Sequence, residues 1–79
     1  MPFEWVAQKD AANFAKHDVD VPTALMVFTD PLVLDLDSTR PGDNEVRRKA
    51  IGWVDGVMLT VIYTDRPIGR GIISARRAR

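Results

Sequence analysis

The groups in this 79-residue chain that could do chemistry are one histidine and a set of arginines and lysines. Lys9, Asn13 and His17 stand at i, i+4 and i+8, with Lys16 beside His17. A helix would place them on one face. A histidine titrates near neutrality, so His17 could act as a general acid or base, or as a phosphate contact. At a helix C-terminus the dipole favours its protonated form. A solvated or C-capping histidine fits the same position, and both readings stay open. A second group lies on candidate strands. In the last strand Arg70, Ile72, Ser74 and Arg76 alternate onto one face, and Ile73, Ala75 and Arg77 onto the other. Arg47 and Lys49 share a face of an earlier strand. Arg66 lies in the turn between the last two strands, and Tyr63 is near it. An open sheet face with several arginines, a tyrosine and a serine is a bed for an RNA backbone. It could equally be a solvated face that limits edge pairing. Asp35 and Asp37 share a strand face and could bind a divalent ion, but a solvated strand end is the commoner meaning.

These side chains must be held by local structure. Residues from about Val6 to Lys16 read as a helix. Ala7, Ala11, Ala12 and Ala15 favour it, and Phe3, Val6 and Phe14 can share an inward stripe. Asp20 can cap a second helix with Pro22 in its first turn. That helix runs to about Phe28, with Ala24, Leu25, Val27 and Phe28 available for burial. Thr29-Asp30-Pro31 ends it, because a residue before proline avoids the helical region. The period then becomes alternating. Leu32 to Asp37 reads as a strand, and Pro41-Gly42-Asp43-Asn44 as a loop. A second strand covers roughly Glu45 to Val54. Asp55-Gly56 predicts a type I′ hairpin turn. The third strand, Val57 to Thr64, is apolar on both faces and belongs in the middle of a sheet. Asp65 to Gly69 turns into a last strand from Arg70 to about Arg76. The expected fold is α+β: two N-terminal helices packed on a four-stranded antiparallel sheet, in one domain over 1–79.

Eleven basic and eleven acidic side chains cancel, but they are unevenly placed. Residues 1–39 hold two basic and seven acidic groups, a net of −5, and residues 40–79 hold nine and four, a net of +5. Such asymmetry suggests a polyanion on the basic side, RNA above all. The alternative is that the two halves pair with each other on folding. Arginines outnumber lysines eight to three, and the guanidinium fork suits phosphate. With no cysteine, disulfides and thiolate zinc sites are excluded. No HExxH, P-loop or GxSxG occurs. Neither a metal nor a cofactor is expected. The start, Met1-Pro2-Phe3-Glu4-Trp5, has no basic and apolar leader, and a cytoplasmic protein with no membrane partner is expected.

The same residues form an ordered series: Phe3-Glu4-Trp5, Lys9, Asn13, Lys16-His17, Val27-Phe28 with Asp30-Pro31, Glu45 and Arg47 ahead of Gly52, Val61 to Arg66, and Ile72 to Ala78. In this the chain resembles, from end to end, the BrnT family of toxins from BrnT/BrnA type II toxin–antitoxin systems. Tyr63-Thr64-Asp65-Arg66 and Ile72-Ile73-Ser74-Ala75-Arg76 are the most specific segments. The resemblance implies a RelE-like fold and an endoribonuclease that halts translation and growth. It implies a BrnA-type antitoxin partner, commonly in a 2:2 assembly. Two positions depart from the family: Val6 stands where an Asp is usual, and Asp18 where a Gly is usual. Many members continue past the Ala78 position into a further helix, so the fold expected here is RelE-like with that helix missing.

Metal-independent RNA cleavage needs a base for the 2′-OH, cations for the phosphorane and an acid for the leaving 5′-oxygen. RelE-like sites lean on Arg and Lys. By that resemblance Arg47, Arg66 and Arg76 are candidate phosphate and transition-state contacts, and Lys9 and His17 candidates for proton transfer. Arg48, Lys49, Tyr63, Arg70, Ser74 and Arg77 are candidate RNA contacts around them. A catalytically inactive module that binds an antitoxin-like partner or RNA is the alternative.

Overall fold

The computed structural model describes residues 3–4, 11, 14–17, 19–67 and 69–78. The elements are β1 (Phe3–Glu4), a first helix α1 described at residues 11 and 14–17, α2 (Val21–Leu25) running into a 3₁₀ turn (Met26–Thr29), β2 (Leu34–Asp37), β3 (Arg48–Val54), β4 (Val57–Arg66) and β5 (Gly69–Arg77). The strands form one sheet in the order β1-β5-β4-β3-β2. The antiparallel meander β2 to β5 is as expected, with β4 in the middle. The short strand at Phe3–Glu4 is an addition: it pairs in parallel with Arg70 and Gly71 of β5, where sequence reading put Phe3 in a helical stripe. Among the described residues no helix is long and apolar enough to cross a membrane.

Local chemistry explains the elements. The Asp20 carboxylate accepts from Thr23 N at 2.8 Å and caps α2, with a proline in its first turn. The helix tightens into a 3₁₀ turn after Leu25, earlier than the expected end at Phe28. Asp30 then takes an extended backbone (φ −69°, ψ 120°) ahead of Pro31. Asp55 and Gly56 have φ of +50° and +78°, as a type I′ turn requires. The second strand starts later than expected, at Arg48, because residues 38–47 close on themselves. Ser38 N donates to Arg47 O at 2.8 Å, and Arg47 N donates to Thr39 Oγ1 at 2.9 Å.

One face of the sheet is covered. Val27 and Ala24 pack there with Ala50, Leu59, Val61, Tyr63, Ile72 and Ala75, all buried. Phe14, expected to point inward, is 50% exposed. The close approach of the 3₁₀ turn to β3 depends on Gly52. A Cβ there would lie 3.1 Å from both Val27 Cγ1 and Val27 O, and 3.2 Å from Asp30 Oδ2. That Asp30 carboxylate also accepts from Trp53 N at 2.8 Å and Leu32 N at 2.9 Å, replacing a neighbouring strand beyond the end of β2. Gly52→Ala is therefore expected to cost about 1–3 kcal/mol from overpacking against backbone. Urea titration of the two proteins measures it, and an unchanged midpoint would refute the close packing.

Candidate functional site

The last described turn of α1 carries Lys16 and His17. Buried Val19 and the Asp20 cap redirect the chain there, so the end of α1 lies beside the end of β5. On β5, Arg76 pairs with Thr60 and Arg77 with Leu59, and Ala78 N donates to Met58 O at 2.9 Å just beyond them. The backbone under both arginines is thus tied to β4. Among the described residues, Lys16, His17, Arg76 and Arg77 line one open cleft of about 400 Å³. Three permanent cations and an imidazole around one cavity make a site for an anion, and the arginine forks suit phosphate oxygens. Among the described residues Arg76 has no carboxylate within ion-pair distance.

The other candidates stand elsewhere. Lys9 and Asn13 lie outside the described residues. Arg66 is six residues along β4 from Thr60, the partner of Arg76, or about 20 Å at the rise of a strand. There it grips Glu45 through two hydrogen bonds, of 3.0 and 3.3 Å. Arg47 precedes β3 instead of sharing a strand face with Lys49, and its Nε lies 3.6 Å from the Asp43 carboxylate, buried without a hydrogen bond. Arg48 pairs with Asp35 at 2.7 Å, and Arg70 with Asp65 at 2.7 Å. The structure therefore brings His17, Arg76 and Arg77 together, adds Lys16, and leaves Arg47 and Arg66 at the far end of the sheet.

A bulge accounts for part of this. Ser74 pairs with Ile62, but Ile72 pairs with Tyr63, leaving Ile73 between them without a partner on β4. Paired residues share a face. Arg70 and Ile72 consequently lie on the Tyr63 face with Ala75 and Arg77. Ser74 and Arg76 lie on the opposite face with Lys49, Ile62 and Thr60. The single face of Arg70, Ile72, Ser74 and Arg76 expected from strict alternation does not form.

Tyr63 is fully buried, edge-on to Phe28 with ring centroids 5.2 Å apart, and covered by the Arg70 guanidinium at 4.3 Å. It is a packing residue here, with no open face for a base. Its hydroxyl donates to Asp35, which also receives Arg48 Nε. Burial and then the Asp35 hydrogen bond raise the Tyr63 hydroxyl above its ordinary range. Burial pushes the Asp35 carboxyl up, but hydrogen bonds from Tyr63 and Arg48 and the nearby charges of Arg48 and Arg70 outweigh it and hold it low. Sequence reading missed this Asp35–Tyr63–Arg48 cluster. Only the register, with Asp35 beside Ala50 and Arg48 beside Tyr63, reveals it.

Four further carboxyls are held low. Asp20 is lowered by hydrogen bonds from Thr23, Asp30 by the Trp53 and Leu32 amides, Asp37 by Thr39 and Glu45 by Arg66. Carboxyls depressed on folding bind protons more readily when unfolded. Their contribution is present above the unfolded pKa of about 4 and is lost as pH falls through the folded values. Thermal scans across pH are expected to give a flat Tm from neutrality to about pH 5 and a fall below about pH 4. A Tm that rises on acidification would contradict these contacts.

A small α+β domain with one histidine and three cations around a cleft defines a class of protein equipped to hold an anion. A family model described as "Ribonuclease toxin, BrnT, of type II toxin-antitoxin system" matches residues 5–79. The chain belongs to that family, whose members are ribonuclease toxins that act with an antitoxin. Comparison with curated proteins gives no match.

Proposed function

We propose that the chain is a toxin that cleaves RNA without a metal ion in the cytoplasm, arrests translation and growth, and is neutralised by a BrnA-type antitoxin in a 2:2 assembly. The observation that carries this reading is the gathering of Lys16, His17, Arg76 and Arg77 around one cleft from segments some 60 residues apart in the sequence. The 2′-oxygen attacks phosphorus as it loses its proton, charge builds on the phosphoryl oxygens, and the 5′-oxygen leaves with a proton. Arg76 and Arg77 would meet the developing charge, and His17 would exchange a proton with one of the two oxygens. Lys9 remains a second candidate for proton transfer. Lys49, Ser74 and Arg66 would guide the strand along one face of the sheet, while Arg47 before β3 and Arg48 and Arg70 on the other face would meet phosphates where the RNA wraps the sheet.

Incubating the purified protein with RNA in EDTA tests this reading. Cleavage to 2′,3′-cyclic phosphate ends is expected, and intact RNA would defeat it. A second reading, a non-catalytic module that binds RNA or an antitoxin, draws support from the carboxylates beside Arg47, Arg48, Arg66 and Arg70. It predicts binding with no cleavage.

A further inference from the structure

The face of the sheet opposite α2 is apolar where it is most exposed. Leu34 is 57% exposed, Leu36 47% and Trp53 55%, with half-buried Ile51 and Met58 among them. An exposed apolar patch of this kind on a small domain marks a protein contact more often than a nucleic-acid one. Over β2 to β5 the charged strand residues on this face are all basic: Lys49, Arg66 and Arg76. The carboxylates Asp35, Asp37 and Asp65 register with Ala50, Arg48 and Arg70 on the other face, and Glu4 of β1 registers with Gly71 at the Arg66 end, away from Arg76. Leu34, Ile51, Thr60 and Arg76 form one row across four strands, exposed at Leu34 and Arg76 and buried at Thr60 between them. At the usual strand spacing the row is about 14 Å long, the length of about ten residues of helix. Arg76 ends that row and also lines the cleft.

We propose that this outer face is the docking surface for an amphipathic, acid-flanked segment of the antitoxin, laid from Leu34 and Trp53 across the sheet so that an acidic group reaches Arg76. The segment's apolar side covers Leu34, Leu36, Ile51 and Trp53, and its acidic side meets Lys49 and Arg76. Inhibition then comes from occupying a phosphate-binding arginine directly, with no change of fold. The assignment of the partner rests on the toxin reading, while the chemistry of the segment rests on this face alone.

The test is a selection of random 20-residue displayed peptides on the wild-type protein, counter-selected on Trp53→Glu. Peptides alternating apolar and acidic residues are expected. The best of them should bind at least tenfold more weakly to Trp53→Glu and to Leu36→Glu, and should slow RNA cleavage by the wild type. Two exposed positions are used so that misfolding of one variant, checked by circular dichroism, leaves the other as the test. Trp53→Glu, registered with Met58 and away from Lys49, should cleave RNA at the wild-type rate while escaping the peptide. Enrichment of basic peptides, or binding indifferent to both substitutions, would overturn the proposal. Loss of oligonucleotide binding in both variants would give the face to RNA instead. A concentration-dependent dimer abolished by either variant would give it to a second copy of the chain. If the wild type cleaves no RNA, the ribonuclease reading falls, while peptide binding still decides the docking surface.

Discussion

Replacing Arg76 by alanine is expected to lower kcat/KM for RNA cleavage by roughly 10²–10³, the usual loss when a preorganised donor to a developing oxyanion is removed. Arg76 is exposed on a strand whose backbone is paired to β4, so the fold should survive unchanged. Arg76→Lys keeps the charge but not the planar fork, and should restore only part of the rate. Growth on induction in a bacterium should follow the same order, with arrest by wild type and relief by Arg76→Ala. A quenched fluorescent RNA gives the rates. A wild-type rate in Arg76→Ala, with an unaltered melting curve, would remove Arg76 from the site and leave the cleft without its main argument. Arg66→Ala offers the contrast. Arg66 sits about 20 Å away by strand rise and is engaged with Glu45, so its loss should weaken RNA binding more than turnover.

The second large effect is at His17. His17→Ala should lower kcat by roughly 10²–10⁴ with little change in KM if the imidazole transfers a proton in the reaction. If it serves only as a phosphate contact, KM should rise instead, and the slope of log K against log salt should fall by about one. The split between kcat and KM therefore decides between two roles that position on the helix leaves open. Neither outcome depends on stability, since His17 lies at the surface end of α1 beside the cleft.

Much of the framework is legible in the residues because it rests on short-range chemistry. An Asp-x-Pro start, an Asp-Pro stop and an Asp-Gly turn each act within four residues, and all three stand where sequence reading puts them. The central position of β4 follows from apolar side chains on both its faces. What stays hidden depends on pairing between distant segments. The two-residue β1 is too short to show a period, and it exists only because β5 offers an edge. The bulge at Ile73 is a matter of register, which no run of residue types announces. Charges show the same division. The imbalance between halves is plain in the sequence. Yet most of the arginines at the Arg66 end are met by Asp43, Glu45 and Asp65 of their own half, while Arg48 is met by Asp35 of the other. The basic half is thus partly neutralised from within, and two of its arginines, Arg76 and Arg77, line the cleft.

Because alternation resets at Ile73, β5 carries one residue more than its partner can use. In genetic terms that residue is a spare codon. An in-frame deletion at Ile73 would shorten the chain while leaving Arg70, Ile72, Ala75 and Arg77 on one face and Ser74 and Arg76 on the other. The same loss in β4, which has no surplus, would transfer every side chain beyond it to the opposite face. The strand that holds the cleft's arginines is for this reason the one most tolerant of length change.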